Sequence, residues 1–382
     1  MTHHETVTDQ EKTLSKQAMQ KALSTRDLTN PTQGQHCMQR LIDEIQDSLY
    51  QHWQCPQLLL RPSPVVSVKD NYDRLCYPSD GAARDARYTR YLSETHILRT
   101  QTSAAIPDLL AGLAAYPPHD LTLLTTGLVY RRDSIDRLHC GEPHQLDIWR
   151  LLNNHHQILG TRALQEMITI VMRAAIPGIE WQTTVSPHPY TEAGVQIDAW
   201  WQDQWIEVGE CGLIADKLLQ QTGQSQSNGL AMGLGLDRLL MIRKNIPDIR
   251  LLRSDDARVQ QQMNDLAPYQ PVSLMPAITR DISLCIHQHT DCEQLGDKIR
   301  ESMSDQMIES LIIVSETPYE QLPAAAHRRM GMAKHQKNVL LRIMIRALDK
   351  TLTDQEANEI RNQVYRLLHE GNQEEIAENK SD

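Results

Sequence analysis

Phenylalanine is absent from the 382-residue chain, which nevertheless carries 11 tyrosines, 6 tryptophans and 14 methionines. Chance does not empty one aromatic type from a chain of this length, so the absence needs a cause. Long apolar runs are missing too. None approaches the roughly 20 residues that cross a bilayer, so no membrane partner is expected. The stretch MTHHETVTDQEKTL is polar and partly acidic, unlike a secretory or organelle-targeting segment, and a cytoplasmic location is expected. Cysteine pairing is not signalled either: Cys37, Cys55, Cys76, Cys140, Cys211, Cys285 and Cys292 form no CxxC pair, and seven cannot all pair within one chain. Reduced thiols follow, and no HxxxH or HExxH interval nearby suggests a structural zinc. The formal net charge of -11 argues against indiscriminate polyanion binding, so any nucleic-acid contact needs a local basic patch.

One such patch runs from Arg328 to Lys350, through Arg329, Lys334, Lys337, Arg342 and Arg346, opposed only by Asp349. A solvated hairpin face explains the same run equally well. Hydrophobicity of 40% across this length suits two or three domains. Residues 1–48 read as a polar extension whose first thirty residues are loosely ordered, with a helix around Met38, Leu41, Ile42 and Ile45. Residues 49–265 alternate strands and helices. Strand-like segments fall at 58–75, 121–133, 144–152, 181–186, 195–201 and 204–208, with helices at 103–115, 160–174 and from Leu236. APYQPVSLMPA is a proline-punctuated linker. Residues 266–370 then read strand (278–286), helix (292–303), strand (308–314), strand (338–346) and helix (354–368), which suits a split βαβ sheet backed by two helices. Thr353 and Glu356 form a capping box for the last helix, and 371–382 is a charged tail. The fold class expected is α+β.

The chemistry concentrates in YRRDSIDRLHCGEPHQLD (130–147). Residues two apart share a strand face, so Arg131 and Asp133 can serve one site, where a guanidinium clamps a phosphate and a carboxylate accepts from an amine. A surface salt-bridge ladder is the plainer explanation of that segment taken alone. GLGLDR (233–238) places Arg238 on the first turn of a helix that leaves a glycine strand end. A dinucleotide fold would need a third glycine, which is missing, so a second arginine for a triphosphate is the better reading.

In this order and spacing the two elements resemble motifs two and three of class II aminoacyl-tRNA synthetases. VVSVKDNYDRL, THILRTQTSA, GLVYRRDSIDRLH, HQLD, HPYTEAG, WIEVGECG, LAMGLGLDRLLM and IPDIRLLRSDD each resemble a segment of the phenylalanyl family, nearest its single-chain mitochondrial-type form. MPAITRDISL and LDKTLTDQEANEI resemble that form's ferredoxin-like anticodon-binding domain. The resemblance implies an antiparallel class II sheet flanked by helices, acting on ATP with Mg2+, an aromatic amino acid and tRNA, in a monomer. It assigns Arg131 to the α-phosphate and Arg238 to the adenine and γ-phosphate, with Asp133, His139 and Pro143 also at the nucleotide. It places Glu192 and Glu207 at the metal, Gln145 and Ser103 at the substrate's amino and carboxylate groups, and Gln101, Asp147, His188, Tyr190, Ala231, Met232 and Gly233 around the amino acid. Arg328, Arg329, Lys334 and Lys337 are the residues expected to contact tRNA.

Departures from the family cluster at the substrate. Its His-Thr-Ser is Gln101-Thr102-Ser103, its nearby glutamine is Ile106, its adenine-stacking phenylalanine is Pro143, and its next glutamate is Asp147. The paired phenylalanines of F-P-F-T-E are His188 and Tyr190, and that of A-F-G is Met232. Tyr72 and Leu284 also stand where the family usually has phenylalanine. Two explanations stay open: phenylalanine was purged from the whole chain, or the pocket was retuned for a hydroxylated substrate. Two other activities also stay open, a paralogue that makes an adenylate without charging tRNA and a catalytically weakened regulatory homologue.

A purge has a direct consequence, because ribosomes then make this chain without consuming phenylalanyl-tRNA. Under phenylalanine starvation its synthesis rate is expected to hold while that of ordinary proteins falls. A pulse-labelling experiment in which both fall equally would count against the purge.

Overall fold

The computed structural model describes residues 13–86, 88–132, 134–153, 157–272, 275–303, 307–347 and 350–373, so Asp133, Asp349 and most of the charged tail lie outside the described residues. The chain divides into two compact units. One comprises the residues up to Arg131, Glu142–Leu252 and Gln260–Tyr269, and the other Arg132–Gly141, Arg253–Val259 and the chain from Gln270.

The first unit begins with helices α1 (Lys16–Ser24) and α2 (Cys37–Trp53), then β1 (Gln57–Leu60), β2 (Val65–Ser67), α3 (Val68–Asn71) and β3 (His96–Leu98). After these come α4 (Ile106–Gly112), β4 (Asp120–Leu128), β5 (His144–Leu152), α5 (Thr161–Ala175), β6 (Trp181–Val185) and β7 (Thr191–Trp201). It closes with β8 (Gln204–Ile214), α6 (Asp216–Gln221), β9 (Asn228–Gly235) and α7 (Leu236–Lys244). Seven strands form one sheet in the order β1-β4-β5-β9-β8-β7-β6, antiparallel except where β1 runs beside β4. Apolar residues three and four apart drive the flanking helices: α5 buries Leu164, Met167, Ile168, Val171, Met172 and Ala175, and α2 buries Leu41, Ile42, Ile45 and Leu49. The helix expected around Met38 is α2, and the one expected over 103–115 is a 3-10 turn, Thr102–Ala105, leading into α4.

Residues 1–12 lie outside the described residues, and 13–30 depart from the loose order expected of them. Ser15 caps α1, and Leu28 and Thr29 are buried. Long-range bonds hold them there: the Leu28 N–H donates to His144 Nε2 (3.0 Å) and Arg61 Nη2 donates to the Thr29 carbonyl (2.9 Å). Such bonds leave no trace in local periodicity.

The second unit contains β10 (Ile278–His287), α8 (Cys292–Ser302), β11 (Ile308–Pro318), α9 (Ala324–Met330), β12 (Gln336–Ile345) and α10 (Asp354–Leu368). Its three strands lie in the order β10-β12-β11, so β12 splits the βαβ unit. Capping boxes start both long helices, Asp291 with Gln294 for α8 and the expected Thr353 with Glu356 for α10. The loop Arg132–Gly141 belongs to this unit. Ile135 joins its apolar core, Arg132 Nη1 lies 3.2 Å from the buried Asp297, and Arg300 Nη2 donates to the Ser134 carbonyl (2.7 Å). Among the described residues no helix is long and apolar enough to cross a membrane.

His36, the N-cap of α2, ties the first unit to acid. Its Nδ1 accepts from the Met38 N–H (3.2 Å) and its Nε2 faces the Leu252 carbonyl (3.2 Å), an arrangement that suits the neutral ring. Burial first, then the charges of His144 and Arg26, lower its pKa from 6.5 to about 3. Below pH 6.5 the unfolded chain takes up a proton that the folded chain refuses, so stability falls with pH down to about pH 3. The slope from this one group is up to about 1.4 kcal/mol per pH unit. Chemical denaturation across pH 4 to 6 should show a shallower slope for His36→Asn than for the wild type, and equal slopes would refute the assignment.

Candidate active site

Two arginines lie within electrostatic reach of one carboxylate, that of Glu207. Arg131 follows β4, with its Nε donating to the Thr100 carbonyl (2.9 Å). Arg238 sits in the first turn of α7, and its Nη1 donates to the Glu207 carbonyl (3.0 Å). Burial and then Glu210 push the Glu207 carboxyl above its ordinary pKa, while the positive charges of Arg238 and Arg131 pull it down. Both guanidiniums therefore act on one side chain. Pro143, whose carbonyl accepts from the Val129 N–H (2.8 Å), immediately precedes β5.

A bulge positions the acidic residues. Along β7 and β8, Ile197 pairs with Gly209 and the next residue, Asp198, pairs with Glu207, leaving Val208 as the extra residue. Strict alternation would send Glu207 and Glu210 to opposite faces, whereas one extra residue returns them to the same face. The metal assignment changes accordingly. Glu192 pairs with Leu213, six residues beyond Glu207 along β8, or about 20 Å at about 3.3 Å per residue. Glu192 and Glu207 cannot share one ion. The carboxylates within electrostatic reach of Glu207 are Glu210 and Asp198. Magnesium takes one or two carboxylates together with substrate phosphates, so this donor set fits a phosphate-borne ion. Among the described residues no group of three or more His, Cys, Asp or Glu could hold a metal by itself.

Deeper along the same strands lies a small, partly open cavity of about 10 Å³, room for one water. In cross-strand rows, Asp147 pairs with Gly233 and Gly233 with Glu210, while Trp149 pairs with Ala231 and Ala231 with Gly212. Trp149, Ala231 and the partly buried Tyr190 belong to one apolar cluster, and the rings of Trp149 and Tyr190 stack with centroids 5.7 Å apart. Gly233 keeps the floor open, since a Cβ there would come within 2.9 Å of Asp147 Oδ1. Asp147 is 2% exposed and its Oδ2 has no hydrogen-bond partner. Burial raises its pKa to about 6, against the opposing influence of Ser103, Thr102, Arg99 and Arg131. His188 Nε2 lies 2.8 Å from Glu210 Oε2. Burial holds the Tyr190 hydroxyl well above its ordinary pKa, with Tyr77, Asp147 and Glu210 adding to the effect and Ser103 opposing it.

The structure thus gathers Asp147, His188, Tyr190, Ala231 and Gly233 around one cavity. Met232 lines the same cavity. It pairs with Ile148 and Cys211, one residue out of step with the Asp147 row, so alternation directs its side chain to the opposite face. Gln145 Oε1 accepts from the Thr102 N–H (3.2 Å), and Ser103 is buried beside it. Gln101 is occupied, donating to the Asn71 carbonyl (3.0 Å) and accepting from the Tyr77 hydroxyl (3.2 Å). His139 Nδ1 pairs with Asp136 of its own loop (2.7 Å). Sequence reasoning missed Trp149 and Glu210. Trp149 is two residues after Asp147 and so on its face, and Glu210 is a lone charge between Gly209 and Cys211, but the bulge that aims it inward is invisible in sequence.

The basic patch is narrower than expected. Lys337, Arg342, Arg346 and Lys350 pair with Glu316, Asp281, Glu309 and Glu356. Arg328 and Arg329 are exposed in the last turn of α9, where a hairpin was expected, and Lys334 is exposed just beyond it.

Comparison with known proteins agrees with this architecture. Residues 23–263 match the family described as tRNA synthetases class II core domain (F), and residues 273–376 match the ferredoxin-fold anticodon binding domain. A probable mitochondrial phenylalanine--tRNA ligase of Drosophila melanogaster is 27% identical over 358 residues, covering 79% of this chain and 75% of that protein. A chloroplastic/mitochondrial phenylalanine--tRNA ligase of Arabidopsis thaliana is 28% identical over 314 residues, covering 79% and 68%. A solved pyrrolysyl-tRNA synthetase from Desulfitobacterium hafniense aligns with a TM-score of 0.45 at 19% identity, covering 58% of this chain and 74% of that one. The expected cytoplasmic location is overturned by these relatives, whose names point to the mitochondrion; a polar, acidic N-terminus does not by itself specify a compartment. The chain belongs to the class II tRNA synthetases of the (F) type, with a ferredoxin-fold anticodon-binding domain following the catalytic core.

Proposed function

We propose that this chain activates phenylalanine, or a close aromatic analogue, with ATP and passes the aminoacyl group to tRNA. The observation that carries this reading is that Arg238 bonds the Glu207 carbonyl and, with Arg131, lies within electrostatic reach of its carboxylate, beside a cavity lined by Trp149 and Tyr190. Arg131 would hold the α-phosphate and Arg238 the adenine and γ-phosphate. Glu207 would meet the magnesium that accompanies ATP, whose charge offsets that of the phosphates. Gln145 and Ser103 would orient the amino and carboxylate groups for attack on the α-phosphorus, with Asp147 facing the ammonium. Pro143 would complete the nucleotide side, and Glu192 has no place in this scheme. Catalysis is then the positioning of fixed positive charge where negative charge develops, and no protein nucleophile is needed. Residues 49–265 would supply this step, and 266–370 would hold the tRNA.

ATP–pyrophosphate exchange with a panel of aromatic amino acids tests the first step. Exchange is expected with at least one, falling about 10²–10³-fold in Arg131→Ala or Arg238→Ala. A folded protein that exchanges with none overturns the activation reading.

Arg328, Arg329 and Lys334 are the exposed cations proposed to face tRNA phosphates. Arg328→Ala with Arg329→Ala should weaken tRNA binding and flatten its dependence on salt, by about one in log–log slope for each phosphate that is no longer neutralised. Unchanged charging and an unchanged salt slope in that variant would remove the role.

A further inference from the structure

The His188–Glu210 pair is not what a simple loss of phenylalanine leaves behind. Elsewhere the positions usually held by phenylalanine carry residues that keep an apolar or aromatic body: Tyr72 and Leu284 in the cores, and Tyr190 against Trp149. At His188 alone the replacement is paired with a carboxylate from another strand, at 2.8 Å. An unsubstituted phenyl ring has nothing to offer that carboxylate, whose second oxygen remains able to accept.

Position within the cavity separates the tasks of its two acids. Asp147 and Glu210 occupy one cross-strand row on either side of Gly233, which has no side chain to fill the gap. Asp147 is on the β5 side, two residues beyond Gln145 and near Ser103, where the substrate's ammonium is proposed to lie. Glu210 is on the far side, clamped by His188 and in the same cavity as Tyr190 and Trp149. An aromatic side chain entering this cavity, which as it stands has room for one water, would take the place of the Tyr190 ring on Trp149 and direct its own ring edge toward Glu210.

We infer that the amino acid selected at this site is an aromatic one whose ring bears a hydrogen-bond donor, a hydroxyl or amino group, received by Glu210 while His188 holds Glu210 in place. The inference rests on the activation reading above and names its substrate class. Discrimination comes from what phenylalanine leaves undone. Glu210 keeps 39% of its side chain exposed, so a ring that covers it without a donor removes water and returns no bond, and sites built to bond a substrate hydroxyl reject the analogue lacking it by up to about 10⁴–10⁵.

The test compares kcat/KM in pyrophosphate exchange, on the full chain, for phenylalanine and its para-hydroxy, meta-hydroxy, para-amino and para-methoxy derivatives. At least one donor-bearing derivative should exceed phenylalanine by about 100-fold or more, and the methoxy compound, of similar size but without a donor, should not. Glu210→Gln, close in shape and uncharged, should shrink that ratio at least about tenfold. His188→Phe with Glu210→Gly should shrink it further while exchange with phenylalanine rises. If phenylalanine or the methoxy derivative is exchanged as well as the donors, this inference falls and the activation reading stands. If the folded protein exchanges with none of the five, both fall.

Discussion

The arrangement of the site depends on a buried tie between the start of β5 and the start of α7. His144 is fully buried and Asp237 nearly so. The His144 backbone N–H donates to Asp237 Oδ2 (2.5 Å), its Nδ1 lies 3.0 Å from Oδ1, and its Nε2 accepts from the Leu28 N–H (3.0 Å). With Nε2 accepting, the ring proton belongs on Nδ1, so every bond in the chain has a donor and an acceptor. Gln145 follows His144 and Arg238 follows Asp237. The tie therefore sets the distance between the groups proposed for the amino acid and for the nucleotide. Loss of either partner would strand a buried polar group, at about 1–3 kcal/mol each.

From that anchor the strands decide the rest by parity. Gln145, Asp147 and Trp149 share one face of β5, and Gly235, Gly233 and Ala231 oppose them on β9. Small residues on the middle strand leave a trough, and the β8 bulge turns two glutamates into it. Negative charge gathered this way is tolerated because Arg131 and Arg238 stand at the open end. The two arginines thus moderate the repulsion within an acidic site.

Much of this was legible in sequence where the signal is local. β5 and α10 fall at the expected residues, the Thr353 capping box is present, and Arg238 opens its helix, because hydrophobic period, cap and glycine strand end are all short-range. What escaped depends on register. The separation of Glu192 from Glu207 and the convergence of Glu207 with Glu210 both turn on pairings and a bulge between β7 and β8. The basic run looked continuous because its neutralising partners, Glu316, Asp281 and Glu309, come from other strands. The helix inside that run, α9, has only seven residues and no side-chain cap at its start, so it left little to detect.

The departures at Gln101 and Ile106 bear on why the chain lacks phenylalanine, since neither position is one that phenylalanine occupies in the family. A purge does not account for them, but a rebuilt pocket does. Gln101 holds the Tyr77 hydroxyl, the Tyr77 ring lies 6.2 Å from that of Tyr190, and the Tyr190 ring lies 6.3 Å from that of His188. Ile106 is fully buried in the cluster that contains Trp149 and Ala231. These residues form a contiguous set running from Gln101 through Tyr77, Tyr190 and His188 to Glu210, the last three of which line one cavity. Each tyrosine or histidine in it brings a polar atom that a phenylalanine would not, and each such atom needs a partner when buried. Tyr72, outside the set, meets the same requirement, donating its hydroxyl to the Ala83 carbonyl (2.7 Å). Removal of phenylalanine explains the composition of the chain, whereas selection at the pocket also accounts for Gln101, which holds the Tyr77 hydroxyl, and for the His188–Glu210 pair.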